Sequence, residues 1–94
     1  MTDADLLAAL RDCYDPLLRR NIVELGLVRS AHLTPDSDAP GQIPRLIAHI
    51  QLTAPTSDET ANAQLTAQVE NRLLGLESIS HVQIKLLPAL FPIL

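Results

Sequence analysis

Ninety-four residues carry a formal net charge of −4, with 47% hydrophobic and only 2% aromatic residues. That length supports one small domain, 1–94, whose core has to be aliphatic because Tyr14 and Phe91 are its sole aromatic residues. The acidic balance, with no basic stripe and no stacking platform, argues against a nucleic-acid binder, and no apolar run approaches the ~20 residues of a membrane-spanning helix.

Cys13 is the single cysteine and cannot form an internal disulfide. The opening Met1-Thr2-Asp3-Ala4-Asp5 is acidic where a secretory leader is basic. Both features predict a soluble, cytoplasmic protein. No internal repeat is visible.

Thr2 or Asp3 is suited to cap a first helix, with acids in its first turn. Leu6, Leu10, Cys13, Tyr14 and Leu17 recur at spacings of three and four and mark one buried stripe. Pro16 pushes Asp15 out of helical space, so the helix is expected to end near Tyr14. Cys13 then falls on or beside the apolar face, where a thiol behaves as a small hydrophobe. A reactive thiol would need a cation nearby, and Arg11 is the nearest in sequence.

Residues 17–26 read as irregular chain or a short helical turn, with Gly26 at a backbone angle other residues resist. A first strand follows from Leu27 to Thr34, with Leu27, Ala31 and Leu33 facing the core and Arg29 interrupting that face. Pro35 to Pro44 reads as a hairpin loop. The clearest alternation lies in a second strand, Arg45 to Thr53, with Leu46, Ala48, Ile50 and Leu52 on one face.

Ala54-Pro55 breaks that strand. Thr56-Ser57-Asp58-Glu59 has capping-box spacing, with Thr56 as cap. Ala61, Leu65, Val69, Leu73 and Leu76 define a second helix, and Gly75 is placed to stop it in a left-handed conformation. A third strand runs from His81 to Leu87, with Val82, Ile84 and Leu86 inward. The tail, 88–94, is almost wholly apolar, and Leu90, Phe91, Ile93 and Leu94 either fold back over the sheet or bury against a second copy or a partner. The order α-β-β-α-β predicts an α+β two-layer sandwich, with two helices packed on one face of a three-stranded sheet.

The run from Asp15-Pro16 to Asn21-Ile22-Val23-Glu24-Leu25-Gly26-Leu27-Val28 resembles the iron–sulfur cluster assembly domain of PaaD, SufT and the N-terminal region of some Mrp-type ATPases. Leu52-Thr53-Ala54-Pro55 is similar to the Leu-Thr-x-Pro that follows the second strand of those domains. The resemblance implies a functional surface at Asp15, Asn21, Glu24, Gly26, Thr53, Pro55 and Ser57. It also carries a departure. Members usually follow Leu-Thr-x-Pro with Gly-Cys, the cysteine associated with cluster handling, whereas this chain continues Thr56-Ser57. A serine hydroxyl is hard and weakly acidic, and iron–sulfur chemistry selects thiolate. The usual acid after Asp-Pro is replaced by Leu17, and the tail lacks the tryptophan many members carry.

The remaining constellations favour plain structural roles. His32, His49 and His81 share the outer sheet face, but no acid or cysteine pattern completes a ligand set, so they read as polar residues on a solvated face. Asp15 and Glu24 flank the turn; capping by Asp15 and solvation of Glu24 explain them better than acid–base catalysis. Ser57 lacks a Gly-x-Ser-x-Gly setting. Arg19 and Arg20 read as a solvated loop rather than an anion dock.

The expected function is that of a non-enzymatic accessory protein in iron–sulfur cluster assembly or metalloprotein maturation. It acts through contacts with assembly or client proteins, needs no cofactor and binds no metal at an identified site. The alternative is a generic interaction or homodimerisation module on the same fold, with no cluster role.

Overall fold

Thr2 and Asp5 start the fold. The Asp5 N–H donates to the Thr2 hydroxyl and the Thr2 N–H donates to the Asp5 carboxylate, so the cap is Thr2 rather than Asp3. Helix α1, Asp3–Leu10, buries Leu6, Ala9 and Leu10. These elements come from a computed structural model that describes residues 1–37, 44–54 and 58–88.

Helix α1 stops about one turn before the expected end at Tyr14. Asp12 and Cys13 donate to Ala9 and Leu10, a tightened last turn, and the Tyr14 backbone is then claimed from elsewhere. Gln68 accepts from the Tyr14 N–H and donates to the Tyr14 carbonyl, both at 2.8 Å. The apolar stripe therefore ends at Cys13, while Tyr14 and Leu17 are exposed.

Strand β1 spans Val28–Asp36, β2 Arg45–Thr53 and β3 Ile79–Leu87, in sheet order β1-β2-β3. β1 pairs antiparallel with β2, and β3 parallel with β2. Both ends of β2 lie where the alternation put them. β1 runs on through Pro35, which an edge strand tolerates. β3 starts earlier than expected, because Ile79 is buried and pairs with Leu46.

The interruption at Arg29 is a β-bulge. Val28 pairs with Leu52 and Ser30 with Gln51, so Arg29 is the extra residue on β1. Removing it from the count puts Val28, Ala31 and Leu33 on the same core-facing side.

Helix α2, Glu59–Leu74, is capped by Asp58, whose carboxylate accepts from the Thr60 and Ala61 N–H groups. This corrects the expected Thr56 cap: the helix starts two positions after the box places it, and Thr56 itself lies outside the described residues. Gly75 ends the helix at φ −72°, not left-handed. The chain leaves instead through tight bonds from Leu76 to Leu73 and from Ile79 to Leu76.

The core lies between the helices and the sheet. Leu6, Leu10, Cys13, Ile22, Ala48, Ile50, Leu52, Leu65, Val69, Leu73 and Ile79 form one buried cluster. It is aliphatic apart from one thiol, as the composition requires. The α+β two-layer arrangement, α-β-β-α-β, matches the expectation. The tail residues Leu90, Phe91, Ile93 and Leu94 lie outside the described residues.

Candidate functional site

Between α1 and β1 the chain makes two closed turns. The first is a miniature hairpin. Ile22 donates to the Cys13 carbonyl, Asp15 donates to Arg20, and Tyr14 and Asn21 form a bridge between them. Pro16 to Arg19 make the tip. Arg19 adopts φ 57°, a left-handed angle uncommon for a non-glycine residue, and its N–H reaches the Asp15 carbonyl at 2.8 Å.

Asp15 holds this tip from inside. Its side chain is 1% exposed, and Oδ1 accepts from the Leu17 N–H at 2.7 Å and the Leu18 N–H at 3.3 Å. Oδ2 is buried and accepts no hydrogen bond among the described residues. The expected turn-capping role is what the geometry contains. Outside the turn, Leu17 and Leu18 are 60% and 61% exposed, beside exposed Tyr14.

The second turn explains Asn21 to Leu27 residue by residue. The Asn21 side chain accepts from the Glu24 N–H at 2.8 Å, as a helix N-cap does. The Asn21 carbonyl accepts from Leu25, closing one helical turn. Gly26 then donates to Val23 and Leu27 to Ile22, with Gly26 at φ 72°. Those two bonds around a left-handed glycine make a Schellman closure. Ile22 is fully buried, and Val23, Leu27 and Val28 pack on the core beside it. Glu24 is left on the outside, 3.8 Å from Arg20 in an exposed pair.

Asp15 and Glu24 therefore sit in different surroundings, one buried in a turn and the other in solvent beside Arg20. Thr53 does adjoin the second turn: its N–H donates to the Leu27 carbonyl at 2.7 Å. Ala54 donates to Leu87 at 2.8 Å, so the chain beyond Thr53 leaves from the end of the sheet where Leu27 enters. Pro55 and Ser57 lie outside the described residues.

Two residues that secure this region carried no local signal. Gln68 clamps the Tyr14 backbone from α2. Arg72 donates to Asp12 at 2.8 and 3.1 Å, tying the end of α2 to the turn after α1. Each bridges more than fifty positions, so only the folded layers bring them together.

The Cys13 thiol is fully buried, and burial pushes its pKa up to about 11. Arg72, rather than Arg11, is the cation that acts on it, pulling down by a smaller amount, while Asp12 pushes up. A protonated, enclosed thiol is a poor nucleophile and presents no ligand atom to solvent. On the open sheet face, His32 and His49 are directly opposed and stacked, with ring centroids 4.9 Å apart. Among the described residues no group of three or more His, Cys, Asp or Glu is arranged to hold a metal ion. No described helix is long and apolar enough to cross a membrane.

Comparison with known proteins accords with this architecture. The family model for iron-sulfur cluster assembly proteins matches residues 3–86. A domain of unknown function, DUF59, from Bacillus anthracis superposes with a TM-score of 0.70 at 23% identity, covering 90% of this chain and 73% of its own. The solution structure of Rv1466 from Mycobacterium tuberculosis, a protein associated with Fe-S complex assembly and repair, gives 0.61 at 25% identity, covering 95% of this chain and 71% of its own. No curated protein matches the chain. The chain belongs to the iron-sulfur cluster assembly protein family.

Proposed function

We propose that this member of the iron-sulfur cluster assembly family is a non-enzymatic accessory protein that works through contacts with assembly or client proteins rather than by holding a cluster. Cys13 carries the reading. It is the only thiol in the chain, it is fully buried, and its pKa is raised to about 11. Iron–sulfur clusters are held by thiolates, so the cargo finds no accessible soft ligand at Cys13. Position 57, where the family resemblance places the cluster-associated cysteine, is serine.

The contact mechanism draws on the hairpin tip. Asp15 fixes a turn whose outer side presents Leu17 and Leu18 to solvent next to Tyr14. Large apolar side chains displayed together on a fixed turn suit burial against a partner. Thr53, Gly26, Pro55 and Ser57 belong to the proposed surface by resemblance. Its partners are assembly or client proteins in the cytoplasm.

Anaerobic reconstitution with iron and sulfide tests the reading. The wild-type protein is expected to stay colourless after desalting, and Ser57→Cys is expected to gain bound iron. A visible chromophore with stoichiometric iron on the wild-type protein would sink it, whether or not Cys13→Ala retains it.

A further inference from the structure

Helices cover the inner face of the sheet, and no described element packs on the outer face. All three histidines of the chain occupy outer-face positions, with Lys85 and Arg45. The one carboxylate among those positions is Asp36, at the far end opposite Arg45, where it accepts from the Ser80 hydroxyl, so Lys85 is the cation toward the other end of the face. Asp36 stands four residues along β1 from His32, about 13 Å at strand rise. In a chain with eleven acids against seven Lys and Arg, such a face is a local reversal of charge.

A cavity of about 330 Å³ opens on this face, lined by His32, His49, Gln51, Gln83 and Lys85 together with Ile50 and Ile84. Its floor is ordered. The His49 Nε2 lies 2.7 Å from the Thr34 hydroxyl, and the His32 ring stacks on His49 at an interplanar angle of 13°. The lining side chains offer imidazole N–H, amide N–H and ammonium donors, with no carboxylate among them. That donor set suits an anion. It does not suit a divalent cation, since one imidazole nitrogen is engaged by Thr34 and an ammonium group shares the lining.

We propose that the open sheet face docks an acidic segment of a partner protein, with a partner carboxylate seated among His32, Gln83 and Lys85. Charge complementarity names the occupant. The three strands offer an extended surface, so consecutive acids on an extended peptide meet Lys85 at one end and the histidine row along the middle. The cavity lies toward the sheet end where Thr53 pairs with Leu87, so a docked segment also runs toward Thr53. The inference does not depend on how iron and sulfide behave, and it stands or falls separately from the cluster reading.

Isotope-labelled protein titrated with hexaglutamate at low ionic strength tests it by amide chemical shifts. Saturable shifts at His32, His49, Gln83 and Lys85 are expected. Binding should weaken about fivefold or more in Lys85→Glu and in His32→Gln, and vanish in molar salt. Both residues are exposed, so the variants retain the fold. Hexalysine should leave these amides unmoved. The proposal is overturned by no binding, by shifts centred on Arg19 and Arg20, or by equal affinity in Lys85→Glu. It is equally overturned if inorganic phosphate alone binds the cavity as tightly as the peptide, which would make this a free-anion site.

Discussion

Replacing Asp15 separates a structural carboxylate from a chemical one. Its Oδ1 accepts two backbone N–H bonds, one short at 2.7 Å and one long at 3.3 Å, and Oδ2 is buried without a partner among the described residues. A bond to a charged acceptor contributes about 1.5–3 kcal/mol, and the long one adds less. Two effects oppose this in Asp15→Ala. The freed N–H groups belong to exposed Leu17 and Leu18 and can turn to water, and the cost of the buried, unmet oxygen disappears. The net loss is about 2 kcal/mol. Asp15→Asn keeps the Oδ1 acceptor and should lose less than about 1 kcal/mol. In urea, with a slope of about 1 kcal/mol per molar for a domain this small, Asp15→Ala lowers the unfolding midpoint by about 2 M and Asp15→Asn by less than half of that. Far-UV circular dichroism reads both. An unchanged midpoint in Asp15→Ala, or equal losses in the two variants, refutes the capping argument.

Cys13 should react with a thiol reagent only on unfolding: at pH 8 labelling is slow in buffer and immediate in urea, and fast native labelling would contradict its burial. Its folded pKa of about 11 lies above the ordinary 9.0, so its contribution is complete below about pH 9 and is lost as pH rises through 11, by roughly 2–3 kcal/mol at most. Cys13→Ala should flatten that alkaline loss in a pH series of urea melts. Gly26 and Gly75 should behave oppositely. Gly26→Ala meets no atom within 4 Å but strains φ 72°, and is expected to cost about 1–2 kcal/mol, while Gly75→Ala sits at an ordinary helical angle with its nearest neighbour at 3.4 Å and should gain about 0.5 kcal/mol, both by thermal melts. Gln68→Ala removes both bonds to the Tyr14 backbone and should cost about 1–2 kcal/mol, with amide exchange at Tyr14 speeding up more than in the core strands.

What the chain order reveals is local, and what it hides is long-range. The alternation in Arg45–Thr53 needs no partner to be read, and both ends of β2 fall where it points. The end of α1 does need one, because Gln68 takes the Tyr14 backbone from 54 positions away. Arg29 reads as a charge on the core face until pairing with β2 makes it the bulge residue. Gly75 reads as a left-handed stop because its position suits one, yet the chain exits α2 in tight right-handed turns. The candidate surface divides the same way. Asp15-Pro16 announces a capped turn, which is present, whereas the stacking of His32 on His49 depends on a strand register that each strand alone does not specify.

The Asn21–Leu27 turn also shows how much of a family motif serves the fold. Its distinctive residue types each serve the fold. Asn21 caps, Ile22 anchors in the core, Gly26 takes the left-handed angle and Leu27 closes over Ile22. None of these bonds involves position 57. A chain can therefore keep the whole turn, and with it the junction between α1 and β1, while serine replaces the cluster-associated thiol. The turn specifies where β1 begins, and through the Leu27 carbonyl it receives the N–H of Thr53, fixing the end of β2 beside it. It places Thr53 without dictating which residues follow in the sequence. The motif that carries the resemblance is thus a capped helical turn, and a chemical role has to be argued from the residues around it.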